Sequence, residues 1–236
     1  MSPDEVRQLL DSSDQAGSWL TFLGLKQIER GHRSLLSMAE LGITLDLLGV
    51  MATQLAQTLP RSPDPDMALN NLDRYLAASR SPLSVATLFQ RDPRALDVLV
   101  QLFGTSQYFS DLVIGQPELF EWLRTEAAAS RDPLKMQREL QAEVDALAED
   151  RAVLNAIRRF RQKEILRIGY NDIIRGRPLE VVTAEISQLA DAIVEVAAAT
   201  ARRELERRHG RPLSSADEPC RFVVFALGKL GGEELN

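Results

Sequence analysis

The chain has 236 residues, 44% of them hydrophobic and 26% charged, and a net charge of −6. That length buries a substantial core, and the composition excludes a disordered polymer. The acidic balance, with a pI near 5.1, argues against a nucleic-acid partner, because phosphate contacts need a basic surface.

Local basic runs such as RRFRQK and ARRELERRHGR carry interleaved or following acids and read as solvated helix faces. A single cysteine, Cys220, rules out an intrachain disulfide, and the separation of His32 from His209 argues against a zinc site. Cys220 reads as a small apolar packer, since no histidine stands near it in sequence. The acidic start MSPDEVRQLLDSSDQ lacks the pattern of a signal peptide, and no apolar run approaches the roughly 20 residues of a membrane span. No membrane partner and a cytoplasmic location are the expectations.

Helical periodicity dominates. Short helices are expected at about 3–10 and 16–27, and a longer one at about 31–58 that ends before Pro60. The proline-rich PRSPDPDM reads as a linker, giving an N-terminal helical region at 1–60 and a helical domain at 61–215. Within that domain Ala68, Leu69, Leu72, Tyr75 and Leu76 share one helix side. Ser81–Pro82 and Asp92–Pro93 pair an N-cap with a first-turn proline. Gly104 is expected to close one helix, and Gly115 to Pro117 to break another. No fixed period establishes a repeat array, so the packing is expected to be irregular.

Two long helices follow. The second, at about 178–208, carries an apolar seam of Val182, Ile186, Leu189, Ile193 and Val196 and ends at Gly210. At 1.5 Å per residue it would be roughly 45 Å long. The first, at about 150–175, places Leu154, Ile157, Ile165 and Ile168 in one sector of roughly 80°, with Arg161 and Asp172 inside it and Glu164 at its edge. An arginine on an apolar stripe needs a partner. Two readings stand: an internal ion pair between Arg161 and Glu164, or an arginine presented to a phosphate group.

The chain ends on RFVVFALGKLGGEELN. The apolar, β-branched RFVVFALG predicts a buried central strand, which requires neighbours on both sides. Nothing else in the sequence supplies them, so the expectation is a fragment whose sheet lies beyond residue 236. The GKLGG turn after it matches neither common phosphate loop. Gly228-Lys229 is followed by Leu230 and not by Ser or Thr, and Gly228, Gly231 and Gly232 do not have the dinucleotide spacing.

ALGKLGGEELN, residues 226 to 236, closely resembles the start of the nucleotidyltransferase signature of the bifunctional glutamine synthetase adenylyltransferase/adenylyl-removing enzymes. RRFRQKEILRIGYNDIIRG, EISQLADAIVEVA, DPDMALNNLDRYL and LFGTSQYFSDLVIGQPELFEWL are similar to the helices that precede that signature, so the resemblance covers roughly 66–236. One departure is Ala226, where the family often has glycine.

The resemblance implies a mainly α chain: an irregular helical array with two long helices, followed at 216–236 by the first strand and glycine turn of a truncated α/β nucleotidyltransferase domain. It implies a parent enzyme whose N-terminal unit removes AMP from a tyrosine of glutamine synthetase by phosphorolysis and whose C-terminal unit adds it from ATP. Met1 and the long helical lead favour the N-terminal unit. By the same resemblance Gly231 and Gly232 cradle nucleotide phosphates, Gly228 permits the turn, and Lys229 supplies a nearby positive charge. Mg²⁺ and ATP or ADP are the parent's expected ligands, and glutamine synthetase and a PII-type signal protein its partners.

The family's Ser-Asp-x-Asp metal-binding segment does not occur in the 236 residues, and the one Asp-x-Asp, at 64–66, sits in the proline-rich loop. No residue is therefore nominated as catalytic or metal-ligating, and the chain alone is expected to be inactive. The alternative is a non-catalytic helical interaction scaffold.

Overall fold

A computed structural model describes residues 1–126 and 131–235. They are mainly helical and group into two compact units: Met1–Thr125 with Ile173–Arg175, and Glu126–Asp172 with Gly176–Asn236. None of the described helices is long and apolar enough to cross a membrane.

The first unit holds nine helices in order: α1 (Pro3–Asp11), α2 (Ser13–Phe22), α3 (Ile28–Glu40), α4 (Leu45–Thr58), α5 (Pro65–Ala78), α6 (Pro82–Arg91), α7 (Pro93–Thr105), α8 (Gln107–Gly115) and α9 (Glu118–Glu126). Their boundaries follow local chemistry. Ser12, Thr44, Asp64, Ser81, Asp92 and Ser106 each accept a backbone N–H from the turn they open. Ser12, Asp92 and Ser106 also donate the closing backbone N–H of the helix before, to the Gln8, Leu88 and Leu102 carbonyls, so α1–α2, α6–α7 and α7–α8 meet at a single residue.

The helix expected at 31–58 is in fact two. Gly42 turns the chain at φ 76°, a left-handed conformation that stops α3, and Thr44 then caps α4. Gly104 does not close α7, which continues to Thr105. Its place is set by crowding: a Cβ there would run into the Ser62 hydroxyl and lie 3.1 Å from the Asp64 carbonyl oxygen. The proline-rich segment forms a 3₁₀ turn, Leu59–Arg61, inside the first unit.

The core of this unit joins α5 to α7, α3 to α5 and α4 to α6 and α7. At its centre the Tyr75 ring lies 5.8 Å from Phe103 and 6.1 Å, edge on, from Phe120. Arg124 sits 5.9 Å over Phe120 and reaches Asp92 at 2.7 Å, tying α9 to the α6–α7 corner. Asp66, in the first turn of α5, accepts the N–H groups of both Lys26 and Gln27 at 2.9 Å and fixes the α2–α3 connection. Asp66→Ala should lower stability by about 1–2 kcal/mol, read as an earlier urea midpoint in tryptophan fluorescence.

The second unit holds α10 (Pro133–Asp145), α11 (Asp150–Arg175), α12 (Leu179–His209) and the single turn α13 (Gly228–Gly231). Both long helices appear where the periodicity placed them. Gly176 ends α11 at φ 59° and Gly210 ends α12 at φ 84°. Met136, Leu140 and Val144 of α10 pack with Val153, Phe160 and Ile168 of α11 and Val182, Leu189, Ala192 and Val196 of α12. Ile186 and Ile193 of the expected α12 seam are partly buried against this core.

The expected strand at 221–227 is absent. Among the described residues the β structure is one isolated antiparallel bridge, Leu213 with Pro219. A strand exists only through the backbone groups of a neighbour, and no neighbour is offered here. The apolar residues of this segment are accordingly exposed, Phe225 at 84% and Leu227 at 87%.

Candidate functional site

The glycine turn is built on backbone constraints. Leu227 is extended, at φ −124° and ψ 164°, and Gly228 then swings to φ 64° to start α13. A Cβ on Gly231 would lie 2.5 Å from the Ala226 carbonyl oxygen, so the turn closes only around a glycine. Gly232 is different: a Cβ would meet ordinary contacts of 3.5 Å and beyond, and its φ is −93°. Nothing in the turn's own packing demands a glycine at 232. Lys229 is exposed.

After the turn, Gly232 and Glu234 donate backbone N–H groups to the Gly228 and Lys229 carbonyls, and Glu233 adopts φ 56°. Leu235 N–H then donates to the Ser187 hydroxyl at 3.3 Å. That hydroxyl donates in turn to the Thr183 carbonyl of α12. Ser187 is fully buried and fastens the far end of the turn to the long helix.

Beneath α12 lies a buried ionic network. Arg167, 1% exposed, donates from Nε to Glu164 at 2.8 Å and reaches both carboxylate oxygens of Glu185 at 3.4 Å. Glu164 is also 3.1 Å from Arg131, which holds Glu139 at 2.8 Å. The expected pair of Arg161 with Glu164 is corrected by this arrangement. Glu164 faces inward to Arg167 and Arg131, while Arg161, one turn away, lies outside the buried stripe and is exposed.

The error is one of helix phase. The buried stripe of α11 runs through Val153, Ala156, Phe160, Glu164, Arg167 and Asn171, not through Leu154, which is exposed. That stripe has spacings of three and four throughout, so its signal was present in the sequence. It was obscured because half its members are polar and the isoleucines lie to one side. Arg131, Glu185 and Ser187 had no such signal, because their roles depend on tertiary neighbours.

At the other end of α12 the charges pair within the helix. Glu204 is held at about 2 by hydrogen bonds from Arg207 and Arg208. Arg202 donates to Glu206 at 2.7 Å and to the Cys220 carbonyl at 3.2 Å, which draws the returning chain along the helix. A groove of about 740 Å³ results, with Ala198, Ala201, Leu205, Phe222 and Val224 among its walls. Cys220 is a partly exposed free thiol on its rim.

The donor set does not suit a divalent metal. Among the described residues no three His, Cys, Asp or Glu side chains converge on one point. The carboxylates at 64 and 66 are already engaged, Asp64 in capping α5 and Asp66 on the α2–α3 connection.

A family model described as glutamate-ammonia ligase adenylyltransferase matches residues 96–236. The chain is 33% identical over 153 residues to the bifunctional glutamine synthetase adenylyltransferase/adenylyl-removing enzyme of Thioalkalivibrio sulfidiphilus, covering 62% of this chain and 16% of that one. It is 28% identical over 238 residues to the enzyme so named in Pseudomonas aeruginosa, covering 98% of this chain and 24% of the relative. The corresponding enzyme of Pseudomonas putida is 26% identical over 236 residues, again 24% of its length. The chain thus spans a quarter or less of these relatives.

Proposed function

The chain belongs to the glutamate–ammonia ligase adenylyltransferase family, and on that premise we propose that it is the helical region and first nucleotide turn of an enzyme that removes AMP from a tyrosine of glutamine synthetase. The observation that carries this reading is the unbroken ALGKLGGEELN motif at the end of a family match that spans more than half of the chain. A companion unit of the parent enzyme adds AMP from ATP to the same tyrosine.

In this reading Gly231 and Gly232 lie against the nucleotide phosphates, Gly228 sets the turn, and Lys229 adds positive charge. The indifference of the turn's own packing to a side chain at Gly232 supports a role for that position outside the fold. Exposed Arg161 is available to an anion, and the acidic chain is unsuited to nucleic acid. Mg²⁺ would be the metal of the parent's chemistry, supplied with donors other than those described here. Glutamine synthetase and a PII-type signal protein are the partners, in the cytoplasm.

The test is an ADP-release assay on adenylylated glutamine synthetase with phosphate and Mg²⁺. The full gene product should release ADP. The 236-residue chain should not, and should not consume ATP with the unmodified substrate. Turnover by the chain alone would refute the placement of the metal carboxylates outside it; inactivity of the full gene product would refute the substrate.

A further inference from the structure

Ser187 faces away from the core that α12 shares with α10 and α11. By helical phase it lies roughly opposite the seam of Val182, Leu189 and Val196, on the side of Glu180 and Asp191, which are exposed. Ser187 is nonetheless 0% exposed. A serine in mid-helix is a poorer helix former than alanine, and a buried hydroxyl is costly unless hydrogen-bonded. This one is used in both directions. It donates to the Thr183 carbonyl at 2.9 Å and accepts the Leu235 N–H at 3.3 Å. The first bond stays within the helix and adds little to it. The second spans 48 residues and reaches the far end of the glycine turn.

That end is where the turn needs holding. Gly228 and Gly231 shape its start through their own backbones. Its exit passes through Glu233 at φ 56°, a left-handed conformation that a residue with a Cβ adopts at a cost. The Leu235 bond lies two residues further on and fixes this exit against a helix of 31 residues.

We propose that Ser187 is a positioning residue for the nucleotide turn: its hydroxyl tethers Leu235 to α12, so that residues 228–235 meet the phosphates already in place. The proposal rests on the reading of that turn as nucleotide-binding. Ser187 itself touches no phosphate and acts through the Leu235 backbone. Without the tether the turn becomes ordered only as the nucleotide arrives, and that ordering is drawn from the binding energy. One backbone-to-hydroxyl bond shifts such an equilibrium about three- to tenfold.

Ser187→Ala in the full gene product tests this. The variant should keep the parent's melting temperature, since alanine suits a helix interior. Without nucleotide, deuterium exchange at the Leu235 amide, followed by mass spectrometry, should be about three- to tenfold faster than in the parent. In ADP release from adenylylated glutamine synthetase the KM for phosphate should rise about three- to tenfold, with kcat held. Addition of AMP from ATP by the companion unit should not change, and it reports any general damage. Unchanged exchange at Leu235 would overturn the proposal. Faster exchange with an unmoved KM would do so too, as would an equal fall in both activities. A parent protein that releases no ADP would instead overturn the nucleotide reading, and this role with it.

Discussion

Arg167→Met should destabilise the second unit by about 3–5 kcal/mol, whereas Arg161→Met should change stability by no more than about 0.5 kcal/mol. The difference comes from burial. Arg167 and Glu164 are both almost wholly enclosed, and Glu185 nearly so. Removing the guanidinium leaves Glu185 without the cation that faces it and leaves Glu164 with Arg131 alone. Burying such a charge without its partner forfeits several kcal/mol of hydration. Arg161 stands in water and has none of this to lose.

The double change Arg167→Met with Glu185→Leu should recover most of the loss, because an apolar pair of similar volume avoids the desolvation altogether. Circular dichroism during urea unfolding is the measurement, since Trp19 and Trp122 both belong to the first unit. Equal midpoints for Arg167→Met and the parent chain would show that the network contributes nothing to folding.

Phe103→Ala should cost about 3–5 kcal/mol, the usual loss for an aromatic ring removed from a closed core. Phe103 is fully buried against Tyr75, and its carbonyl accepts from the equally buried Asn71 side chain. The same substitution has a second readout. Burial, with a smaller contribution from the nearby Glu121 charge, pushes the Tyr75 phenol up to about 12. Its folded value thus lies above the unfolded one, near 10. The folded state holds this proton better, so the stability linked to it is intact below about pH 10 and is lost as the pH rises towards 12. A cavity beside the ring should admit water and bring the phenol's titration down. Absorbance titration against a Tyr75→Phe control would show this, and an unmoved titration would mean that the Phe103 ring does not seal the phenol.

How much of this was legible in the sequence differs between the two ends of the chain. The capped corners at Ser81 and Asp92 and the two long helices are written locally, in proline, cap and glycine positions, and the structure forms them there. The break at Gly42 was equally local but was masked by apolar residues running on both sides of it. The phase of α11 departs from the sector of its isoleucines because the buried stripe includes a glutamate and an arginine, which apolar periodicity does not count. The strand at 221–227 was a sound inference from composition, yet strand formation is not a property of one segment. Of the turn, Gly228 and Gly231 have their reason in the backbone itself, whereas nothing in the fold accounts for Gly232.

The corners at Ser12, Asp92 and Ser106 bear on how this architecture can change over time. Where one residue ends a helix and starts the next, no slack exists to absorb an inserted or deleted amino acid. A single insertion would rotate everything beyond it by about 100° about the axis and turn a core-facing side outward. Lineages carrying this unit should therefore diverge at these joints by exchange among Ser, Thr, Asp and Asn, with length held constant, and confine length variation to connections such as 23–27 and 41–44.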